Sequence, residues 1–171
     1  MRRFIFLAVA FILIFCSSAN AKKSGKLSLG AKMSVYDPPG DASSTLLFEV
    51  VAKYWVSTKV TTELSVGWTQ YKESGENVTL MPIQLNAEFH PLGRISFDPY
   101  CGGGVGAYIK QTGDETSATA GIQMLAGLSF KPSGGLSFNA EVKYILSDIT
   151  DSNSGGFSFG GGVEGNWQTE L

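Results

Sequence analysis

The sequence predicts an all-β fold, an eight-stranded antiparallel up-and-down transmembrane β-barrel. Three observations predict it. From Lys22 onward each segment alternates apolar and polar residues with period two, as strands with unlike faces do. Turn signals recur at even spacing: Asp37-Pro38-Pro39-Gly40, Ser57-Thr58, Ser74-Gly75-Glu76-Asn77, Pro91-Leu92-Gly93, Thr112-Gly113-Asp114, Pro132-Ser133-Gly134-Gly135 and Asp151-Ser152-Asn153-Ser154. The aromatic residues of the apolar faces gather at both ends of the segments rather than in the middle.

Residues 1–21 are expected to be an address, not fold. Arg2 and Arg3 precede an apolar run from Phe4 to Phe15, and Ala19-Asn20-Ala21 offers a small-x-small cleavage site. That run is shorter than the ~20 residues a spanning helix needs, so it reads as a signal peptide and 22–171 as the barrel domain. Cys16 leaves with the signal, and the bulky Phe15 before it is unlike a lipidation site, so Cys101 stands alone without an intrachain disulfide.

Each segment supports the alternation. The first places Leu27, Leu29, Ala31, Met33 and Val35 against Ser28, Gly30, Lys32 and Ser34; the second places Leu46, Phe48, Val50, Ala52, Tyr54 and Val56 against a face holding Glu49 and Lys53. In the third, Val60, Leu64, Val66 and Trp68 oppose Thr61, Glu63, Ser65 and Gly67. The fourth sets Met81, Ile83, Leu85, Ala87 and Phe89 against Gln84, Asn86, Glu88 and His90. The fifth sets Ile95, Phe97, Val105, Ala107 and Ile109 against Ser96, Asp98, Gly102, Gly104 and Gly106. The sixth runs from Ala120 to Phe130 with Thr119, Gly121, Gln123, Gly127 and Ser129 opposite, and the seventh from Leu136 to Leu146 with Ser137, Asn139, Glu141 and Lys143 opposite. In the eighth, Phe157, Phe159, Val163 and Trp167 oppose Ser158, Gly160, Gly162, Glu164 and Asn166. Eight such strands joined by short connections close most simply as a meander barrel.

Alternation alone does not say whether the apolar face meets lipid or lines a soluble core. Aromatic height does. With the amino terminus at the periplasmic end, Tyr54, Phe89, Phe97, Phe130, Phe138 and Trp167 fall near that end, and Phe48, Trp68, Tyr144, Phe157 and Phe159 near the other. Two aromatic girdles flanking an aliphatic band are what two lipid interfaces favour. The connections add to this expectation: short periplasmic turns carrying Lys59, Arg94 and Lys131, and longer outer loops of about six to eight residues rich in acid (Asp37, Asp41, Glu73, Glu76, Asp114, Glu115, Asp148, Asp151).

The run Phe97-Asp98-Pro99-Tyr100-Cys101-Gly102-Gly103-Gly104-Val105-Gly106, after Glu88-Phe89-His90-Pro91-Leu92-Gly93, resembles the Pro-Tyr-x-Gly-x-Gly-x-Gly strand of small OmpW/OmpX-like outer-membrane β-barrel proteins. The resemblance extends over the barrel domain in pattern and over about residues 88–108 in specific residues. That family commonly ends in an aromatic residue, whereas this chain ends in Leu171. The resemblance implies residence in a Gram-negative outer membrane, with outer-membrane lipid, lipopolysaccharide and the barrel-insertion machinery as partners.

Functional expectations follow from what fills the barrel. Eight strands leave an interior just wide enough for side chains, so a wide pore is not expected. The inward face carries Lys32, Lys53 and Lys143 with Glu49, Glu63, Glu88, Asp98, Glu141 and Glu164, and buried charges must be paired or hydrated. Hairpin register suggests a row Lys53, Glu63, Glu88, Asp98 across neighbouring strands, with His90 at the mouth; such a row either plugs the lumen or holds a cation or shared proton. The expected role is structural or a narrow channel for small hydrophobic solutes, with a loop-mediated adhesin as the alternative and a lipid A-modifying enzyme behind it. No catalytic residue, cofactor or metal site is expected: the sole histidine, His90, is followed by Pro91-Leu92 and lacks an outward serine partner. The glycine run at 102–106 precedes no helix and reads as room for curvature, not a phosphate loop. Acidic residues outnumber basic ones, which argues against nucleic acid as partner, and a monomer is expected.

Overall fold

A computed structural model describes residues 26–93, 95–132 and 135–168, with side chains up to Gly165. The expected signal peptide with Cys16 and Ala21, Arg94, Ser133 and Gly134, the side chain of Trp167, and Leu171 lie outside the described residues. Eight strands follow one another: β1 (Lys26–Asp37), β2 (Thr45–Trp55), β3 (Val60–Glu73), β4 (Glu76–Phe89), β5 (Phe97–Thr112), β6 (Glu115–Phe130), β7 (Leu136–Leu146) and β8 (Gly155–Gln168). Each pairs antiparallel with its neighbours, and β8 returns to β1, so the sheet closes.

Closure is what lets this sequence present a hydrocarbon-like exterior, because every strand's N–H and C=O groups find partners within the sheet. Among the described residues, those predicted to point outward do so. Met33 is 54% exposed, Val50 68% and Phe159 67%. The two girdles are separated along the strands: Tyr54 faces Thr62 and Phe97 faces Phe130 at the end where β1 begins and β8 ends, called the terminal end, while Phe48 faces Trp68 and Tyr144 faces Phe157 at the far end. Phe89, Phe130 and Phe138 point outward at the terminal end. Cys101 is free and outward, among these apolar side chains.

The connections differ from the sequence expectation in length. At the far end only 38–44 and 147–154 are extended; the other two are the two-residue turns Ser74-Gly75 and Gly113-Asp114. Meanwhile the β4–β5 connection at the terminal end spans 90–96. The reason is local. Residues that look like loop by composition continue the ladder, with Glu73 opposite Glu76 and Thr112 opposite Glu115. The Ser74-Gly75 turn reverses the chain in two left-handed residues (φ 52° and 88°), a geometry matched to twisted hairpins. The β3–β6 wall is therefore taller than the rest, and the two extended connections bond to its flanking strands: Ser43 N donates to the Lys72 carbonyl of β3, Ile149 N to the Ala120 carbonyl of β6, and Thr119 Oγ1 of β6 to the Ser147 carbonyl.

Candidate functional site

The inward positions are filled in layers. At the terminal end His90 stacks between Trp55 and Tyr100, with ring centroids 4.7 and 5.3 Å away. Its Nδ1 lies 3.0 Å from Asp98 Oδ2 and its Nε2 3.3 Å from Glu88 Oε2. Lys131 closes this layer from outside, donating to Asp98 Oδ2 at 2.8 Å with its ammonium 4.6 Å from the centre of the Trp55 ring. His90 is thus 1% exposed, not at an open mouth, because the long β4–β5 connection folds it under the aromatic rings.

The next layers are ionic. Lys53 reaches Glu88 (3.0 Å), Glu164 (3.2 Å) and Glu63 (3.3 Å). Lys32 reaches Glu63 at 2.8 Å and Glu141 at 3.1 Å, and Lys143 reaches Glu49 at 3.0 Å and Glu141 at 3.7 Å. Lys32–Glu141, Lys143–Glu49 and Lys53–Glu164 join strands far apart in sequence, whereas Lys53–Glu63 spans one hairpin and Lys143–Glu141 lies on one strand. Tyr100 Oη donates to Glu141, Thr61 Oγ1 to Glu88 and Asn139 Nδ2 to Glu164, so carboxylates gain neutral donors beside their lysines. A chain of amides carries the network onward: Tyr108 Oη donates to Gln123, Gln123 Nε2 to Asn86, and Asn86 Nδ2 to Glu63. Above it the lumen turns apolar, with Tyr36, Leu47, Tyr71, Val78, Leu80, Tyr108 and Ile145 packed together.

The structure brings Lys53, Glu63, Glu88, Glu141, Lys143 and Glu164 into one network, joined by Lys32 and Glu49. It corrects the row in one place. Glu88 faces Gly102, not Asp98, because the seven-residue β4–β5 connection shifts the register relative to a tight hairpin. Asp98 belongs instead to the His90–Lys131 layer and touches the row only through the imidazole. Lysines stand between the carboxylates, and among the described residues no group of His, Cys, Asp and Glu is arranged to hold a metal ion. The inward aromatics Tyr36, Trp55, Tyr71, Tyr100 and Tyr108 were not singled out from the sequence; each sits at inward parity, and that parity is the signal that finds them.

No family model matches the sequence, and no curated protein matches it. Solved structures do match in shape. The outer membrane protein OprG from Pseudomonas aeruginosa superposes with a TM-score of 0.64 at 14% identity, covering 88% of this chain and all of that one. Neisserial surface protein A (NspA) gives 0.65 at 16% identity over 84% of this chain and 99% of its own. The N-terminal β-barrel domain of Pseudomonas aeruginosa OprF gives 0.61 at 16% identity over 85% of this chain and 100% of its own. Identities this low establish architecture alone: the chain is a closed eight-stranded antiparallel barrel of the kind solved for small outer-membrane proteins.

Proposed function

We propose that the protein is an integral outer-membrane barrel with a closed lumen, serving a structural role in the envelope rather than as an open pore. The observation that carries this is the ion-pair network across the interior, in which Lys32, Lys53 and Lys143 each bind two or more carboxylates at nearly complete burial. The girdled apolar exterior supports lipid and lipopolysaccharide as its surroundings, the insertion machinery as its route there, and a monomer as its form. Cleavage after Ala21 belongs to this reading. The far end, with its acidic tips, faces outward.

A narrow path for hydrophobic solutes finds less support, since the central layers are charged. The adhesin reading is weakened by the two-residue turns at 74–75 and 113–114, which offer little surface to grip. Planar-bilayer recordings of the refolded protein should show no stepwise conductance at neutral pH, with no accelerated uptake of a hydrophobic dye into vesicles; regular open-channel steps would overturn the closed-lumen reading. Catalysis on lipid A is tested separately. His90 faces the lumen beside Asp98, and incubation with lipopolysaccharide should release no acyl chains; release above a boiled control would overturn the non-enzymatic reading.

A further inference from the structure

The far end of the lumen is not flush. Above the apolar layer lies a cavity of about 290 Å³, close to the lower bound of ordinary ligand pockets. Its walls include Tyr36, Tyr71 and Tyr108, and its rim includes Asp148 and Asp151 of the β7–β8 connection. We propose that this vestibule is a binding site for a small organic cation, of the alkylammonium or quaternary ammonium class.

Two observations converge on that chemistry. Tyr36 and Tyr71 meet edge to face, with centroids 6.4 Å apart and planes at 69°, which makes a corner of two ring faces. Such corners attract cations through the ring quadrupole, more strongly where water is excluded. The Tyr36 side chain is almost completely buried and lines the cavity. Charge sets the sign of the ligand. Among the described residues the only cation on the wall, Lys110, is paired with Glu73, which leaves Asp148 and Asp151 as the unpaired charges of the lining.

The rim is also held in place before any ligand arrives. Ser154 Oγ lies within hydrogen-bond reach of the Asp148 and Asp151 carbonyl oxygens (2.9 and 2.8 Å), either of which can take its one proton, and it accepts from Asp148 N. Thr150 donates its N–H and hydroxyl to Asp148 Oδ1, holding that carboxyl below the usual carboxylate range, so it is ionised at neutral pH. Preorganisation of this sort lowers the ordering cost of binding.

The test uses the folded protein in maltoside micelles, which carry no choline headgroups, with choline as the probe and 3,3-dimethyl-1-butanol as its neutral isostere. Calorimetry should show saturable, one-site choline binding, at least about tenfold tighter than the isostere. Tyr71→Leu and the Asp148→Asn/Asp151→Asn pair should each weaken it about tenfold or more, and Tyr71→Phe, which keeps the ring, should retain it. Folding of every variant is checked by its heat-modifiable electrophoretic mobility. Should Tyr71→Leu fail to fold, the aspartate pair, which lies in a connection outside the strands, decides. Absence of saturable binding, equal binding of the isostere, or choline binding indifferent to both Tyr71→Leu and the aspartate pair would overturn the proposal. Because micelle binding needs neither membrane residence nor a closed lumen, its failure leaves the structural reading standing.

Discussion

Replacing Lys53 with methionine is expected to destabilise the folded barrel by about 3–5 kcal/mol, the usual cost of stranding a buried charge. Lys53 is 4% exposed and lies 3.0–3.3 Å from Glu88, Glu164 and Glu63. Glu63 keeps Lys32 when Lys53 is lost, but Glu88 and Glu164 lose their lysine partner. The size of the effect comes from those orphaned carboxylates more than from the lost attraction. A second change separates the two: Lys53→Met with Glu88→Gln removes one surplus charge and should recover at least about 1 kcal/mol of the loss, a coupling that distant sites would not show. Lys110→Met is the comparison, since the Lys110–Glu73 pair is about a third exposed on both sides and should cost under about 1 kcal/mol. Urea unfolding in lipid bilayers, followed by tryptophan fluorescence, measures all three. If Lys53→Met cost no more than Lys110→Met, the lumen would be wet enough to screen its charges, and the interior would not be a plug.

The same network marks where sequence reading succeeds and where it stops. Parity alone assigns Lys32, Lys53, Glu63, Glu88, Glu141, Lys143 and Glu164 to one side and the girdle aromatics to the other, because a strand has only two faces and one of them must be apolar throughout. Lys53 opposite Glu63 is likewise readable, since a tight connection fixes the register of β2 against β3. Glu88 against Asp98 is not, because Pro91-Leu92-Gly93 looks like a compact turn while the chain uses all of 90–96 before pairing resumes. Lys143 with Glu49 and Lys32 with Glu141 lie beyond any local reading. They meet only because the sheet closes with a stagger, and closure is a property of all eight strands together. The inward tyrosines escape for a different reason: aromatic residues in a barrel are expected at its outer surface, so Tyr36, Tyr71 and Tyr108 are masked by their own residue type.

Closure itself depends on a position with no side chain at all. Gly160 lies opposite Ser34 where β8 meets β1. A Cβ there would stand 2.2 Å from the Met33 carbonyl oxygen and 2.3 Å from Ser34 Cα, both backbone atoms that cannot step aside as a flexible side chain would. Gly30 and Gly162 sit under similar constraint on the same seam, with a Cβ 2.4 Å from the Val163 oxygen and 2.5 Å from the Ala31 oxygen. Gly160→Ala is therefore expected to cost about 3 kcal/mol or more, at the upper end of overpacking penalties, and Gly160→Val to prevent closure. Gly40→Ala serves as the contrast. Gly40 has a positive φ of 76° but nothing within 4 Å of an added Cβ, so only the backbone preference is lost, about 1–2 kcal/mol. The seam is the more sensitive site because it joins the first strand to the last and has no substitute pairing. Strands β1 to β7 can form by successive hairpins, but without the β1–β8 ladder two edges of unpaired N–H and C=O groups would face hydrocarbon, each costing several kcal/mol. Refolding into lipid vesicles, read by the mobility shift between heated and unheated samples, should show Gly40→Ala folding fully, Gly160→Ala folding with reduced urea resistance, and Gly160→Val remaining unfolded. A Gly160→Val protein that folded with native urea resistance would mean that β8 meets β1 in another register, and the positions of Lys32 and Glu164 in the lumen would have to be redrawn with it.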